Sequence, residues 1–457
     1  MFKEFRIKTR KLYDSLDKKF IFLAFFALIL PFAYSWLRLF WIISASADSY
    51  TMISFWSYLQ ALVECFTAFL ILPLFTFSKN KQKKSFSIFS GVSFLVLILF
   101  FVMLSLFPWM IRQMTTQNSS STLKELKIFL FLTMISMSME IFVQYLLADI
   151  IVERNGLKAT TTSVMIVLTS LLFDILFLSN ISPFNYSIIN ITLSSVISSF
   201  LIIIVLSVFW FISYFKENNS ITFNINEVKS YYKKGLVPGL NVLIGNFFYS
   251  FVTLNIINHM DPLHMNSWHM AGWMYWNIIF KITIILQYIL IAERINNHND
   301  FDSRFATYWF MIIDFVIFLI LVPISGLLIL PTVIDDQSWL RLSTTSAFLM
   351  APFFLFMGMS NKLNTKFITE DKMHYMLYQI IFSTMIIELP IWILLLIGIN
   401  VGYWQNMTIW MISVSLGFFI SIFQFEYLER KSMNIEFAYL KRKQLNTIFV
   451  TKRYRSI

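Results

Sequence analysis

Apolar runs of more than 18 residues recur along almost the whole of this chain, and no other feature limits the fold so sharply. A helical run of that length crosses a hydrocarbon core of roughly 30 Å. Lipid offers the backbone no hydrogen-bond partners, so a spanning segment is either a helix or part of a closed barrel. Barrel strands alternate in polarity over about ten residues, and that pattern is absent. Composition agrees: 58% of the 457 residues are apolar and 13% are charged, against about 25% charged in a soluble domain. The expected fold class is an all-α membrane protein whose first partner is the lipid bilayer.

Polar breaks divide the text into twelve spans. They lie near 20–45, 52–77, 86–112, 127–152, 160–180 and 186–214, then near 236–258, 266–292, 304–332, 343–365, 374–398 and 405–427. Basic residues orient them. The N-terminal tail carries seven Lys and Arg, KNKQKK after the second span carries four, and the tail from 428 carries eight. The connections 46–51, 181–185, 259–265 and 399–404 carry none. Cytoplasmic loops collect Lys and Arg, so both termini are expected in the cytoplasm, as an even span count requires. The net charge of +11 follows this topology and does not call for nucleic acid. The basic N-terminus runs into a full-length span and does not read as a cleavable signal peptide.

One long polar connection splits the chain into two six-span halves. The expected layout is a basic tail (1–19), a first six-helix lobe (20–215), a cytoplasmic connection (216–235), a second six-helix lobe (236–427) and a basic tail (428–457). The halves read as repeats. Asp48 aligns with Asp261 at an offset of 213, and Glu153 with Glu370 at 217. Six spans per half put equivalent ends on one side, which makes these parallel repeats about an axis along the membrane normal.

Seven ionisable residues stand out within the spans: Arg38, Glu64, Glu140, Asp174, Lys281, Asp314 and Glu388. A charge at the centre of a membrane helix costs about 2.5–3.5 kcal/mol on insertion scales, so such residues face a bundle interior or an aqueous cavity and mark ion or substrate paths. Carboxylates sharing one cavity would take up a proton or hold Na⁺. Each also has a plain structural reading. Asp314 has no recognisable context and reads as structural. Arg38 snorkels or pairs with a neighbour. Asp174 and Glu140 hydrogen-bond Ser170 and Gln144. Glu64 and Lys281 are related by an offset of 217. They would occupy equivalent places on the second and eighth spans, as a gate pair at the seam between halves or with partners inside their own halves.

Other chemistry is thin. The single Cys65 falls inside a span and excludes a disulfide framework and a thiol metal site. His259, His264 and His269 recur every five residues, which suits neither one helical face nor a known ligand spacing. No Gly-rich phosphate loop and no nucleophile elbow is present. An enzyme is therefore not expected, nor any metal or organic cofactor, and uphill transport would draw on an ion gradient.

Four stretches carry a resemblance: LPFAYSWLRLFWIISASADSYTM in the first span, LLADIIVERNGLKATTTSVMIVLTSLLFDILFL across the fourth and fifth, YYKKGLVPGLNVLIGNFFYSF opening the seventh, and IIELPIWILLLIG in the eleventh. In their order the chain resembles the multidrug and toxic compound extrusion (MATE) family. That family's superfamily, MOP, also includes flippases of polysaccharides and lipid-linked oligosaccharides. The resemblance covers roughly residues 20–427. It implies two facing six-helix bundles and an H⁺- or Na⁺-coupled antiporter exporting amphipathic, cationic compounds from the cell as a monomer. By that resemblance Asp174 takes the place of the fifth-span Asp of the cation and proton site, Ser170 replaces the Asn four residues before it, and Glu140 lies on the adjacent span. Asp48 matches the first-span Asp, about two residues further from Pro31 than usual. Asn246 stands where one subfamily has a Glu, so a Na⁺ site of that type is not expected in the second lobe. Asn241, Asn246, Glu388 and Arg38 would line the substrate cavity. In a flippase, Arg38 and Lys281 would instead meet an anionic lipid-linked sugar.

Overall fold

The computed structural model describes the chain apart from residues 1, 46–55, 79–83, 116–119, 154–155, 180–187, 218–219, 259, 297–302, 400 and 455–457. A short basic helix, α1 (Phe2–Ser15), precedes the first long rod. The first lobe holds α2 (Lys18–Ala45), α3 (Trp56–Ser78), α4 (Phe86–Thr115), α5 (Ser120–Val152), α6 (Gly156–Leu178) and α7 (Ile188–Glu217). The second begins with α8, which runs as Ile225–Phe248, a π-helical turn Tyr249–Leu254 and Asn255–Asn258. Next is α9, built of Pro262–Met274, a π turn Tyr275–Ile279 and Phe280–Asn296. Rod α10 consists of Ser303–Ile324, a π turn Ser325–Ile329 and Leu330–Val333, and α11 is Gln337–Thr369. Rod α12 is His374–Ser383, a π turn Thr384–Glu388 and Leu389–Leu396, and α13 is Tyr403–Tyr454.

Among the described residues, eight helices are long and apolar enough to cross a membrane: α4 to α7 and α10 to α13. The rods α2, α3, α8 and α9 stand at the remaining expected positions, and the order fits twelve spans. Helix α8 starts earlier than its apolar text does, at Ile225, because Asn224 caps it by accepting from the Asn226 N–H and Glu227 sits in its first turn. All four π turns lie in the second lobe among the described residues, and two of them precede a proline, Pro331 or Pro390. Proline has no N–H to return to the preceding turn, which suits a widened turn there.

The same rods pair in both halves. In the first lobe α2 packs on α6, α3 on α5, α4 on α5 and α5 on α7; in the second α8 packs on α12, α9 on α11, α10 on α11 and α11 on α13. The molecule is an all-α membrane protein of two pseudo-symmetric six-helix bundles.

The lobes meet along α3 and α8, and along α2 and α9. Gly235 and Gly239, four apart on α8, turn one face to α3: a Cβ at Gly235 would fall onto the Phe69 carbonyl, and one at Gly239 would lie 3.0 Å from Phe69 Cβ. Small residues at this spacing let helix backbones approach closely in lipid. Tyr231 Oη donates to the Leu70 carbonyl, and Cys65 Sγ to the Gly239 carbonyl at 3.2 Å.

The cores show where the lobes join. One cluster runs through α3 to α7 of the first lobe and takes in Tyr231, Ile291, Met311, Leu363, Phe367, Met376, Phe418 and Phe425 of the second. Every one of these lies in the half of its rod nearer the chain termini. The opposite half of the second lobe has a core of its own around Trp268, Tyr275, Phe354 and Trp410, with no first-lobe residue among its described members. At the terminal face, Leu12 of α1 inserts between α9 and α10, against Ile285, Ile289 and Phe310.

Candidate functional site

In the first lobe the deepest charge is Asp174 on α6, 1% exposed. Ala159, Ser163, Asp174 and Leu178 are buried on this helix, and side chains four apart share a face. Tyr34 Oη donates to one carboxylate oxygen and Ser194 Oγ to the other. Arg38 Nε lies 3.3 Å from Asp174 Oδ2, and its Nη2 donates to the Ile191 carbonyl and to Ser195 Oγ. Tyr34 and Arg38 stand one turn apart on α2, and Ser194 and Ser195 lie on α7. Three helices thus converge on one carboxylate, and a guanidinium occupies the place of a counter-cation.

The other expected members of this site lie apart from it. Ser170 is half-buried one turn before Asp174 and is not among its donors. Glu140 on α5 is exposed and accepts from Gln144 Nε2 at 3.2 Å. Asp48 lies outside the described residues.

At the seam, Asn246 Nδ2 of α8 donates to Glu64 Oε2 of α3 at 3.1 Å, a direct polar contact between lobes. Asn241 is half-buried on α8. Lys281 falls on α9, and its side chain lies outside those described.

In the second lobe Glu388 closes the π turn of α12, with 9% of its surface exposed. Ser413 Oγ of α13 donates to Glu388 Oε1 at 2.7 Å. A second charge pair was invisible in the sequence: Asp314 of α10 lies 2.8 Å from Lys362 of α11, both side chains fully buried. Lys362 Nζ also donates to the Thr283 carbonyl at 2.6 Å. Gly358 makes room for this, since a Cβ there would come within 2.6 Å of Thr283 Cγ2.

The terminal face carries ion networks in both lobes. Lys84 Nζ lies 2.6 Å from Glu153 and 3.5 Å from Asp149, while Lys366 lies 2.6 Å from Glu429 and 3.1 Å from Glu370. On the opposite face Asp261 caps α9, accepting from the His264 N–H at 2.9 Å. That bond holds its carboxyl below the usual range. No group of His, Cys, Asp and Glu among the described residues is arranged to hold a metal ion.

Such a pair of six-helix bundles, with a buried carboxylate in each, defines a polytopic membrane protein of the two-lobed, internally repeated type. No protein-family model matches the chain, and no curated protein matches it. Solved structures do. An outward-facing MATE family transporter of the MOP superfamily superposes with TM-score 0.68 at 12% identity, covering 90% of this chain and 94% of that one. The eukaryotic MATE transporter AtDTX14 gives 0.68 at 12%, covering 93% and 96%. A MOP superfamily transporter from Pyrococcus furiosus, described by the reverse polarity of its binding pocket, gives 0.65 at 11%, covering 90% and 95%. The chain has the fold of the MATE transporters of the MOP superfamily.

Proposed function

We propose that this protein is a secondary transporter of MATE type: an antiporter exporting amphipathic, cationic compounds from the cell against an inward flow of H⁺ or Na⁺, its termini in the cytoplasm. The observation that carries this reading is the division of the cores. Among the described residues the second lobe shares a core cluster with the first in its terminal half, while the core cluster of its other half takes in no first-lobe residue and is met by α2 only at Tyr275–Ile279 and Leu330–Val333. Rigid bodies joined at one end rock about that end, and alternating access in repeat-built transporters is such rocking around a fixed site. Membrane carboxylates supply the coupling: a proton or Na⁺ taken from one side favours one tilt, because a ligand shifts a two-state equilibrium only by binding the states unequally. A flippase of anionic lipid-linked sugars is less well supported, because Arg38 is turned onto Asp174 and away from any headgroup.

Proteoliposomes loaded with ethidium test this. Imposing a pH or Na⁺ gradient should drive ethidium across the membrane, and collapsing the gradient with an ionophore should stop it. Ethidium movement that ignores both gradients would overturn the reading.

A further inference from the structure

Each lobe buries a carboxylate on its fifth span. Asp174 on the fifth span and Glu388 on the eleventh are related by an offset of 214, inside the range of 213 to 217 that relates the halves. Each accepts from a serine of the following span, Ser194 or Ser413. Tyr34, which donates to Asp174, corresponds to Tyr249 at an offset of 215. The charge beside the carboxylate is not repeated. Where the first lobe has Arg38, the same offset of 215 gives Thr253.

That difference changes the chemistry. Asp174 has the Arg38 guanidinium 3.3 Å away, a counter-charge built into the fold. Among the described residues Glu388 has one hydrogen bond and no ion pair. The rods packed against its π turn are α8 and α13. From 235 to 258 α8 contains no Asp, Glu, Lys, Arg or His, and from 404 to 425 neither does α13; their titratable residue in these stretches is Tyr249. Tyr249 Oη accepts from Trp268 Nε1 at 3.3 Å. The residues that follow Glu388 are apolar, Leu389, Ile391 and Trp392 packing on Phe248, Val252 and Ile256 of α8. A buried carboxylate without a partner is costly as an anion, and a single Ser oxygen is a poor cage for a hard metal cation, which takes several oxygen ligands. A proton needs neither cage nor counter-ion.

We propose that Glu388 is the proton-loading site of this protein, and that Arg38 has converted the equivalent first-lobe carboxylate into a fixed ion pair. Proton uptake at Glu388 Oε2 turns the carboxylate into a neutral acid and leaves the Ser413 bond to Oε1 in place. The widened turn that bears Glu388 packs on α8 and α13 of its own lobe. This assignment rests on the transporter reading for its purpose but not for its test.

The test is an infrared pH titration of the full chain in lipid nanodiscs, following the C=O band of protonated carboxyls. The wild type should show a buried carboxyl band that appears and disappears with pH. Glu388→Gln should lose it, and Asp174→Asn should keep it. Ser413→Ala, which leaves the carboxyl in place, should move the band by removing its hydrogen bond. Replacing K⁺ by Na⁺ at constant ionic strength should leave the titration unchanged. A band that survives in Glu388→Gln, or disappears in Asp174→Asn, or does not respond to Ser413→Ala, or shifts with Na⁺, would overturn the assignment. No substrate enters the measurement, so failed ethidium transport counts against the transporter reading and leaves this result standing.

Discussion

Arg38 and Asp174 are separated by 136 positions in the chain and by 3.3 Å in the fold. Asp174 also accepts from the hydroxyls of Tyr34 and Ser194. Removing one partner of a buried ion pair strands the other charge and costs about 3–5 kcal/mol, whereas replacing both with apolar groups is often nearly neutral. Arg38→Met should therefore lower the thermal unfolding temperature strongly, and Arg38→Met with Asp174→Leu should recover much of the loss. Equal melting of single and double variants would show that the contact adds nothing.

Asp314 and Lys362 allow a sharper version of the experiment, because both side chains are 0% exposed. Either single change, Asp314→Asn or Lys362→Met, should destabilise, and the two effects should not add. Coupling in a double-mutant cycle of about 0.5–3 kcal/mol is expected for residues in contact. Additive effects would mean that the charges are satisfied separately.

The seam between lobes is tested at its glycines. Gly235→Ala places a methyl on the Phe69 carbonyl, and Gly272→Ala meets nothing within 4 Å. Overpacking typically costs about 1–3 kcal/mol. The first variant should melt earlier and the second should match the wild type. If both behave alike, the close approach of α3 and α8 is not a structural constraint.

Asp261 supplies a pH dependence outside the membrane. Its carboxyl is held below the usual range by the His264 N–H at the start of α9. A depressed group stabilises the fold above its unfolded value of about 3.9 and loses that contribution as pH falls through its folded value. Asp261→Ala removes an N-cap, worth about 0.5–2 kcal/mol. The difference in melting temperature between wild type and Asp261→Ala should be largest near neutral pH and shrink as the solution becomes strongly acidic. A difference independent of pH would dismiss the charge as its source.

The sequence was most legible along each helix and least legible across them. Span positions follow from the length of apolar text, and Glu140 with Gln144 follows from helical spacing within α5. In the sequence Arg38 fits a cavity cation and a partner to a neighbour equally well. Choosing between these needs the rotation of α2 against α6 and α7, and near-uniform apolar faces do not encode that rotation. Lys362 sits three residues from the expected end of its span, where a lysine usually reaches the interface. Its burial comes from Asp314 and from the space left by Gly358, on two different rods. The π turns also left no periodic trace. The prolines after two of them are their only textual mark.

Rod α13 is one unbroken helix of 52 residues, about 78 Å long at 1.5 Å per residue, against a hydrocarbon layer of roughly 30 Å. Whatever the second lobe does, this rod magnifies. It is a lever arm anchored in the second lobe and longer than the layer that the lobe spans. A tilt that moves seam atoms by fractions of an ångström sweeps the far end through several. A fluorophore pair on the first turn of α6, in the first lobe, and on the last turns of α13 would thus act as a goniometer built into the chain, registering the angle between the lobes.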